Sequence, residues 1–207
     1  MPGPPRTVDP TPPKRRADAE RSIARILDAA VGALGEDQDA SMSEIARRAG
    51  VVRATIYVHF PTREALLDAV TERALAEVAA VINAAEPDRG DPADALARVV
   101  AATWRQLGPY HALVAINTST QTHDHLHHRH GSVVDTLVLL IERGQAAGEF
   151  RTDVPAAWHL AMLMALIHAG SAELQARRVP EADAEAALVA TVVGAIARPG
   201  ASGTDTA

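Results

Sequence analysis

The segment GVVRATIYVHF, residues 50 to 60, sets a guanidinium, a hydroxyl, a phenol and an imidazole side by side. The whole chain has two Trp, two Tyr and two Phe, yet Tyr57 and Phe60 both fall in this stretch. The hydroxyls of Thr55 and Tyr57 and a ring N–H of His59 are short, stiff donors suited to phosphate oxygens. Arg53 can reach a guanine edge or a phosphate, and Ala54 and Val58 can touch thymine methyls. Arg63 follows Pro61 at the start of the next helix, where backbone N–H groups also favour an anion. The plainer use of such a segment is a short helical hairpin with a solvated face, in which Tyr57 only packs.

The flanking residues say how the segment is held. Upstream runs SMSEIARRAG, residues 41 to 50, where Ser41 and Glu44 have capping-box spacing. Gly50 can adopt the left-handed conformation that ends a helix. A second short helix then starts near Val52 or Arg53 and stops before Pro61, which makes a helix-turn-helix. Small Ala46 and Ala49 let the two helices cross closely. Ile45, Val51, Ile56 and Phe60 are the expected core, with Ile26 and Leu27 of the preceding helix. That leaves Arg53, Ala54, Thr55, Tyr57, Val58 and His59 facing solvent, a surface suited to a major groove.

Residues 23 to 70, and most specifically the pieces IARRAGV, TIYVHF and TREALL, resemble the DNA-binding domain of the TetR family of bacterial transcription regulators. The resemblance implies a three-helix DNA-binding head and a divergent helical body that binds a ligand and dimerises. It also implies phosphate contacts by Thr55, Tyr57, His59 and Arg63, and base contacts mostly by Arg53, Ala54 and Val58. One position departs from the family: Val52 stands where a Ser or Thr usually caps the recognition helix. A missing cap costs about 1 kcal/mol, too little to overturn the assignment. GEFRTDVP, residues 148 to 155, resembles the loop that often precedes the family's penultimate helix.

The rest of the chain reads as helix. Ile23, Ile26, Leu27, Ala30, Val31 and Leu34 follow a helical period, as do Leu66, Val70, Ala74 and Val78, and Leu96, Val99, Val100 and Trp104. Residues 156 to 175 are apolar on more than one face, as a buried helix would be. No useful run alternates with period two. The expected fold is all-α with about nine helices. Six of the 13 prolines lie in the first 13 residues. Residues 1–17, ending in the basic Lys14, Arg15 and Arg16, therefore read as a disordered arm able to touch DNA. Residues 18–63 are the expected head, 64–200 the ligand-binding and dimerisation body, and 201–207 a disordered tail.

In the body, Trp104, Tyr110, Asn117, Trp158, Met162 and His168 are candidate pocket residues, since sites for small molecules mix aromatics, Met and a few polar groups. Taken singly, each fits ordinary core better than a pocket. The two last helices, about 155–176 and 181–197, are expected to pair with those of a second subunit. THDHLHHRHG, residues 122 to 131, holds five of the nine histidines. On a helix His123 and His127 would stand at i, i+4, a spacing used by zinc and nickel ligands, with His130 one turn on. Only Asp124 is at hand to complete a site, so no metal and no cofactor are expected.

Composition bounds these readings. The absence of cysteine excludes disulfides and thiolate chemistry and suits a reducing cytoplasm. No basic-then-apolar leader is visible, and no apolar run is long enough to span a bilayer. Net charge is −6, but residues 1–63 hold ten Lys/Arg against eight Asp/Glu while the remainder holds ten against eighteen. The front is mildly basic, as a nucleic-acid partner requires. The reading that uses most residues is a cytoplasmic homodimeric repressor that leaves a palindromic double-stranded operator when a small molecule binds. A helical metal-dependent enzyme using His123 to His130, or a helical interaction module, leaves Tyr57, His59 and Arg63 unexplained. An activator of the same fold remains the nearest alternative.

Overall fold

A computed structural model describes residues 13–114 and 131–199. Among these are eight α-helices: α1 Pro13–Glu36, α2 Met42–Arg48, α3 Arg53–His59, α4 Arg63–Ala84, α5 Pro92–Leu107, α6 Gly131–Ala146, α7 Ala156–Gln175 and α8 Glu181–Ile196. A single 3₁₀ turn, Gly108–Tyr110, follows α5, and residues 111–114 are helical again. The described residues contain no strand, only an isolated antiparallel bridge between Phe150 and Ala197. The all-α expectation holds, with eight helices described against the nine expected.

One boundary is corrected. Residues 13–17, expected in the arm, belong to α1. Proline is well suited to a first helical turn, because its missing N–H would have had no helical partner there and its φ is already helical. The proline-rich residues 1–12 lie outside the described residues.

The head is built by local signals. The Ser41 hydroxyl accepts the Glu44 N–H at 3.2 Å and caps α2. The reciprocal half of the expected box is absent, because the Glu44 carboxylate is taken by Arg47 and Arg48. Those hydrogen bonds hold its carboxyl well down, at about 2. Arg48 also reaches Glu36 and fastens the end of α1 to α2. Gly50 takes φ 65°, which lets the chain turn sharply into α3. Ile26, Ala30, Ile45, Ala46, Ile56 and Phe60 are buried together, and Leu66 and Val70 of α4 join the same core.

The body packs α4 against α5, α5 against α6 and α8, and α7 against α6 and α8. Asp91 caps α5 by accepting the N–H groups of Ala93 and Asp94 at 2.8 and 3.1 Å, and Pro92 occupies the first turn. Residues 148–155 do precede α7 and are stitched to the end of α8. The Arg151 N–H donates to the Ile196 carbonyl and the Arg198 N–H to the Glu149 carbonyl, at 2.9 and 2.8 Å. Phe150 in this loop lies against Gly144, where a Cβ would sit 2.1 Å from the ring.

Candidate nucleic-acid interface and effector cavity

Seven residues make up α3, and burial of Ile56 fixes which way each of them faces. At 100° per residue, Ala54 and Val58 point directly away from Ile56. Arg53 and Tyr57 form one flank, Thr55 and His59 the other. Exposure follows this geometry: Val58 is 77% exposed, Tyr57 38%, and Thr55 and His59 are half-buried. The Arg53 guanidinium lies 5.5 Å from the centre of the Tyr57 ring, a cation–π contact that holds the flank in one arrangement. Val52 begins the helix without a side-chain cap, as its type dictates, and is 70% exposed. The arrangement is a narrow apolar crest of Ala54 and Val58 between two rows of donors.

Two sets of basic candidates are placed differently. Arg63 turns its guanidinium inward and donates to the carbonyls of Ala40 and Gln38, the latter at 2.6 Å. It clamps the first turn of α4 onto the α1–α2 loop, a partnership the sequence expectation did not include. Thr62 caps the same turn by accepting the Ala65 N–H at 3.1 Å. Lys14, Arg15 and Arg16 lie in the first turn of α1, but their side chains are outside the described residues.

Behind the head, a cavity of about 80 Å³ opens between α4, α5, α6 and α7. Ala74 and Val78 of α4, Val100 and Thr103 of α5, Leu137 of α6 and Leu163 of α7 are part of its wall. Of the six candidate pocket residues, Tyr110 and His168 line it. Trp104 does not. It is buried one residue round the helix from Thr103, with its ring 4.3 Å from that of His111 and against Gly170. Trp158 is 65% exposed, and partly buried Met162 does not reach the cavity. Both belong to the face of α7 opposite Leu160, Leu163 and Ile167. Asn117 lies outside the described residues, as does the His123–His130 cluster. Among the described residues no group of three His, Asp or Glu could hold a metal. No described helix is long and apolar enough to cross a membrane.

A polar network joins this cavity to the head. The Tyr110 ring lines the cavity, while its hydroxyl donates to Glu77 of α4 at 2.8 Å. That hydroxyl also accepts from Arg73 Nε at 3.2 Å, and another nitrogen of Arg73 donates to Asp28 of α1 at 2.6 Å. Gln106 donates to Glu77 from α5 at 2.8 Å. Burial, and then the bond to Glu77, raises the Tyr110 pKa, so the phenol stays protonated and can donate. Arg73 and Glu77 stand at i, i+4, which in sequence resembles any surface ion pair. A second buried pair is His111 and Ser171, with Nδ1 2.9 Å from Oγ. The Ser171 hydroxyl donates to the Ile167 carbonyl at 2.9 Å, so the imidazole must be the donor between the two. Burial pushes the His111 pKa down, against a smaller upward pull from Glu181.

The same architecture is found in known regulators. The family model for bacterial regulatory proteins of the tetR family matches residues 26–70, the span from mid-α1 into α4. The HTH-type transcriptional repressor LfrR of Mycolicibacterium smegmatis is 31% identical over 151 residues, 73% of this chain and 78% of its own. The HTH-type transcriptional repressor NicS of Pseudomonas putida is 30% identical over 154 residues, 68% and 71% of the two chains. The crystal structure of LfrR in complex with proflavine superposes with a TM-score of 0.70 at 26% identity, covering 87% of this chain and 99% of that one. A head of three helices around Ile56, a body with an internal cavity and relatives matched over most of their length lead to one conclusion: this chain belongs to the tetR family of bacterial regulatory proteins.

Proposed function

We propose that the protein is a transcriptional repressor that binds a palindromic operator as a homodimer and is released by a small molecule entering the cavity beside α4. The observation that carries this reading is the outward face of α3. Ala54 and Val58 form a crest able to meet base edges, and Arg53, Tyr57, Thr55 and His59 supply donors on both sides of it. The kinship to two named repressors, one solved with proflavine bound, supports the sign of regulation and the small-molecule effector.

The dimer is inferred from uncovered apolar surface. On α7, exposed Trp158, Ala161, Ala165 and Ala169 recur at helical spacing, with partly buried Met162 and Leu166 beside them, on the face opposite Leu163 and Ile167. On α8, Ala187, Thr191 and Gly194 are exposed along one face of small residues. Two such helices pair naturally with their symmetry copies in a four-helix bundle, which buries one self-complementary patch. A regulator of this kind works in the cytoplasm and needs no catalytic residue.

Release follows from the size of the cavity. Sites for drug-sized ligands occupy roughly 300–1,000 Å³. The cavity here holds about 80 Å³, so a ligand enters only by moving its walls. One wall is α4, whose first turn is clamped to the head by Arg63 and whose middle is tied to α1 through Arg73 and Asp28. A displaced α4 carries the head with it and changes the spacing of the two recognition helices. A coupling of about 1–3 kcal/mol would weaken operator binding roughly 5–150-fold, and by linkage operator must weaken ligand binding equally. The test is to titrate ligand with and without operator. Equal affinities would refute induction, and tighter ligand binding with operator present would make the molecule a corepressor.

A further inference from the structure

The wall of the cavity beside α4 carries very little charge or polarity. No Asp, Glu, Lys or Arg is among its described lining residues, and His168 is the one ionisable side chain apart from the Tyr110 phenol. A buried charge needs a partner, and the described wall offers no carboxylate to an ammonium group and only the His168 imidazole to a carboxylate or phosphate.

The hydroxyls of the wall are not equivalent. That of Tyr110 is turned out of the cavity to Glu77 and Arg73. That of Thr71 donates to the Leu67 carbonyl at 2.8 Å. Thr103 differs from both. It is 7% exposed and lines the cavity, yet its hydroxyl has no hydrogen-bond partner among the described residues. A threonine within a helix commonly turns its hydroxyl back to the carbonyl one turn earlier. Here that carbonyl belongs to Val99, and the bond is not made. A hydroxyl on a cavity wall that spends no hydrogen bond on the described chain keeps its donor and acceptor for a ligand's polar group.

We infer that the cavity takes an uncharged, predominantly apolar ligand whose polar group hydrogen-bonds the Thr103 hydroxyl. The inference rests on the effector reading above and narrows it to a chemical class. Size points the same way. An engineered apolar cavity of about 150 Å³ accepts benzene. This one holds about 80 Å³ and must widen even for a single ring. Apolar side chains slide past such a ligand at little cost, whereas a charged group would have to shed its water with at most the His168 imidazole to receive it.

Four one-ring probes of matched shape test this: benzyl alcohol, toluene, benzylammonium and benzoate, each titrated near neutral pH into the full-length protein by ligand-observed NMR. Benzyl alcohol and toluene should bind, and the two ions should bind at least about 100-fold more weakly. Thr103→Val keeps the shape and removes the hydroxyl. It should weaken benzyl alcohol about 3- to 10-fold, the usual effect of one hydrogen bond, and leave toluene unchanged. Thr103→Ser should restore the alcohol. Ions binding as tightly as the alcohol, equal losses for alcohol and toluene in Thr103→Val, or no binding by any of the four would overturn the inference. Operator release is read in parallel. Binding in the expected order without release would uphold the ligand class and refute induction. Release by the ions alone would leave induction standing and refute the ligand class.

Discussion

Replacing Tyr110 by Phe removes one oxygen and leaves the ring that lines the cavity. The lost atom donates to Glu77 at 2.8 Å and accepts from Arg73 at 3.2 Å. Hydrogen bonds to charged partners are worth about 1.5–3 kcal/mol when well buried. Here Arg73 and Glu77 keep 26% and 39% of their side-chain surface, so water can replace part of what is lost. The two are also 3.6 Å apart and can close on each other. Both facts put the net cost at the low end, about 1–2 kcal/mol in all. For a chain of this size each kcal/mol lowers Tm by about 2–4 °C, so Tyr110→Phe should melt roughly 2–8 °C lower. The second readout is specific to coupling. With its tie to α4 and, through Arg73, to Asp28 of α1 removed, the cavity wall should transmit less of the ligand's push. Operator affinity without ligand should stay near wild type, while the fold-weakening caused by ligand should shrink. The assay is thermal unfolding followed by operator titration with and without ligand. An unchanged Tm would show that the hydroxyl bears no load. A lowered Tm with undiminished ligand response would show that the network holds the fold and carries no signal.

Three further outcomes follow from single contacts. Tyr57→Phe keeps the ring under Arg53 and removes the outward hydroxyl, so operator affinity should fall by about 0.5–1.5 kcal/mol with sequence preference unchanged; unaltered affinity with a lower Tm would make Tyr57 a packing residue. His111 has a folded pKa below its ordinary 6.5, so the unfolded chain takes up the proton first. Its contribution is complete above about pH 6.5 and is lost as pH falls from there towards the folded value. The drop in Tm on acidification should therefore be smaller in His111→Asn, and an equal drop would refute this. Gly144→Ala would place a methyl 2.1 Å from the buried Phe150 ring, and urea unfolding should report a loss of about 1–3 kcal/mol, the usual cost of overpacking; an unchanged midpoint would show that the ring can yield.

The head was legible because its signals are short. Ser41 caps three residues ahead, Gly50 turns the chain where it stands, and the outward set on α3 follows from a seven-residue helix with one buried anchor. The body was legible only as helices. Its last two elements are apolar on both faces, so periodicity could not say which face of α7 is inside, and Trp158 was placed in a pocket it does not reach. Trp104 and Thr103 are neighbours in sequence, and only the packing decides that the smaller one meets the cavity. The partners of Arg63 within the chain, Gln38 and Ala40, are carbonyls in another loop and leave no mark in the sequence. The Arg73–Asp28, Tyr110–Glu77 and His111–Ser171 contacts likewise join residues far apart along the chain.

The central claim is that α3 reads DNA from a symmetric dimer, and selection from a random duplex pool by the purified full-length protein tests it most directly. Two recognition helices related by a two-fold axis require half-sites about 34–36 Å apart, or a multiple of that. The enriched sequences should therefore be inverted repeats with that spacing. Binding should weaken steeply as salt is raised, because phosphate contacts release counterions. Arg53→Ala should relax preference at matching positions in both half-sites. Enrichment of no sequence, or of a motif without dyad symmetry that Arg53→Ala leaves unchanged, would contradict the claim.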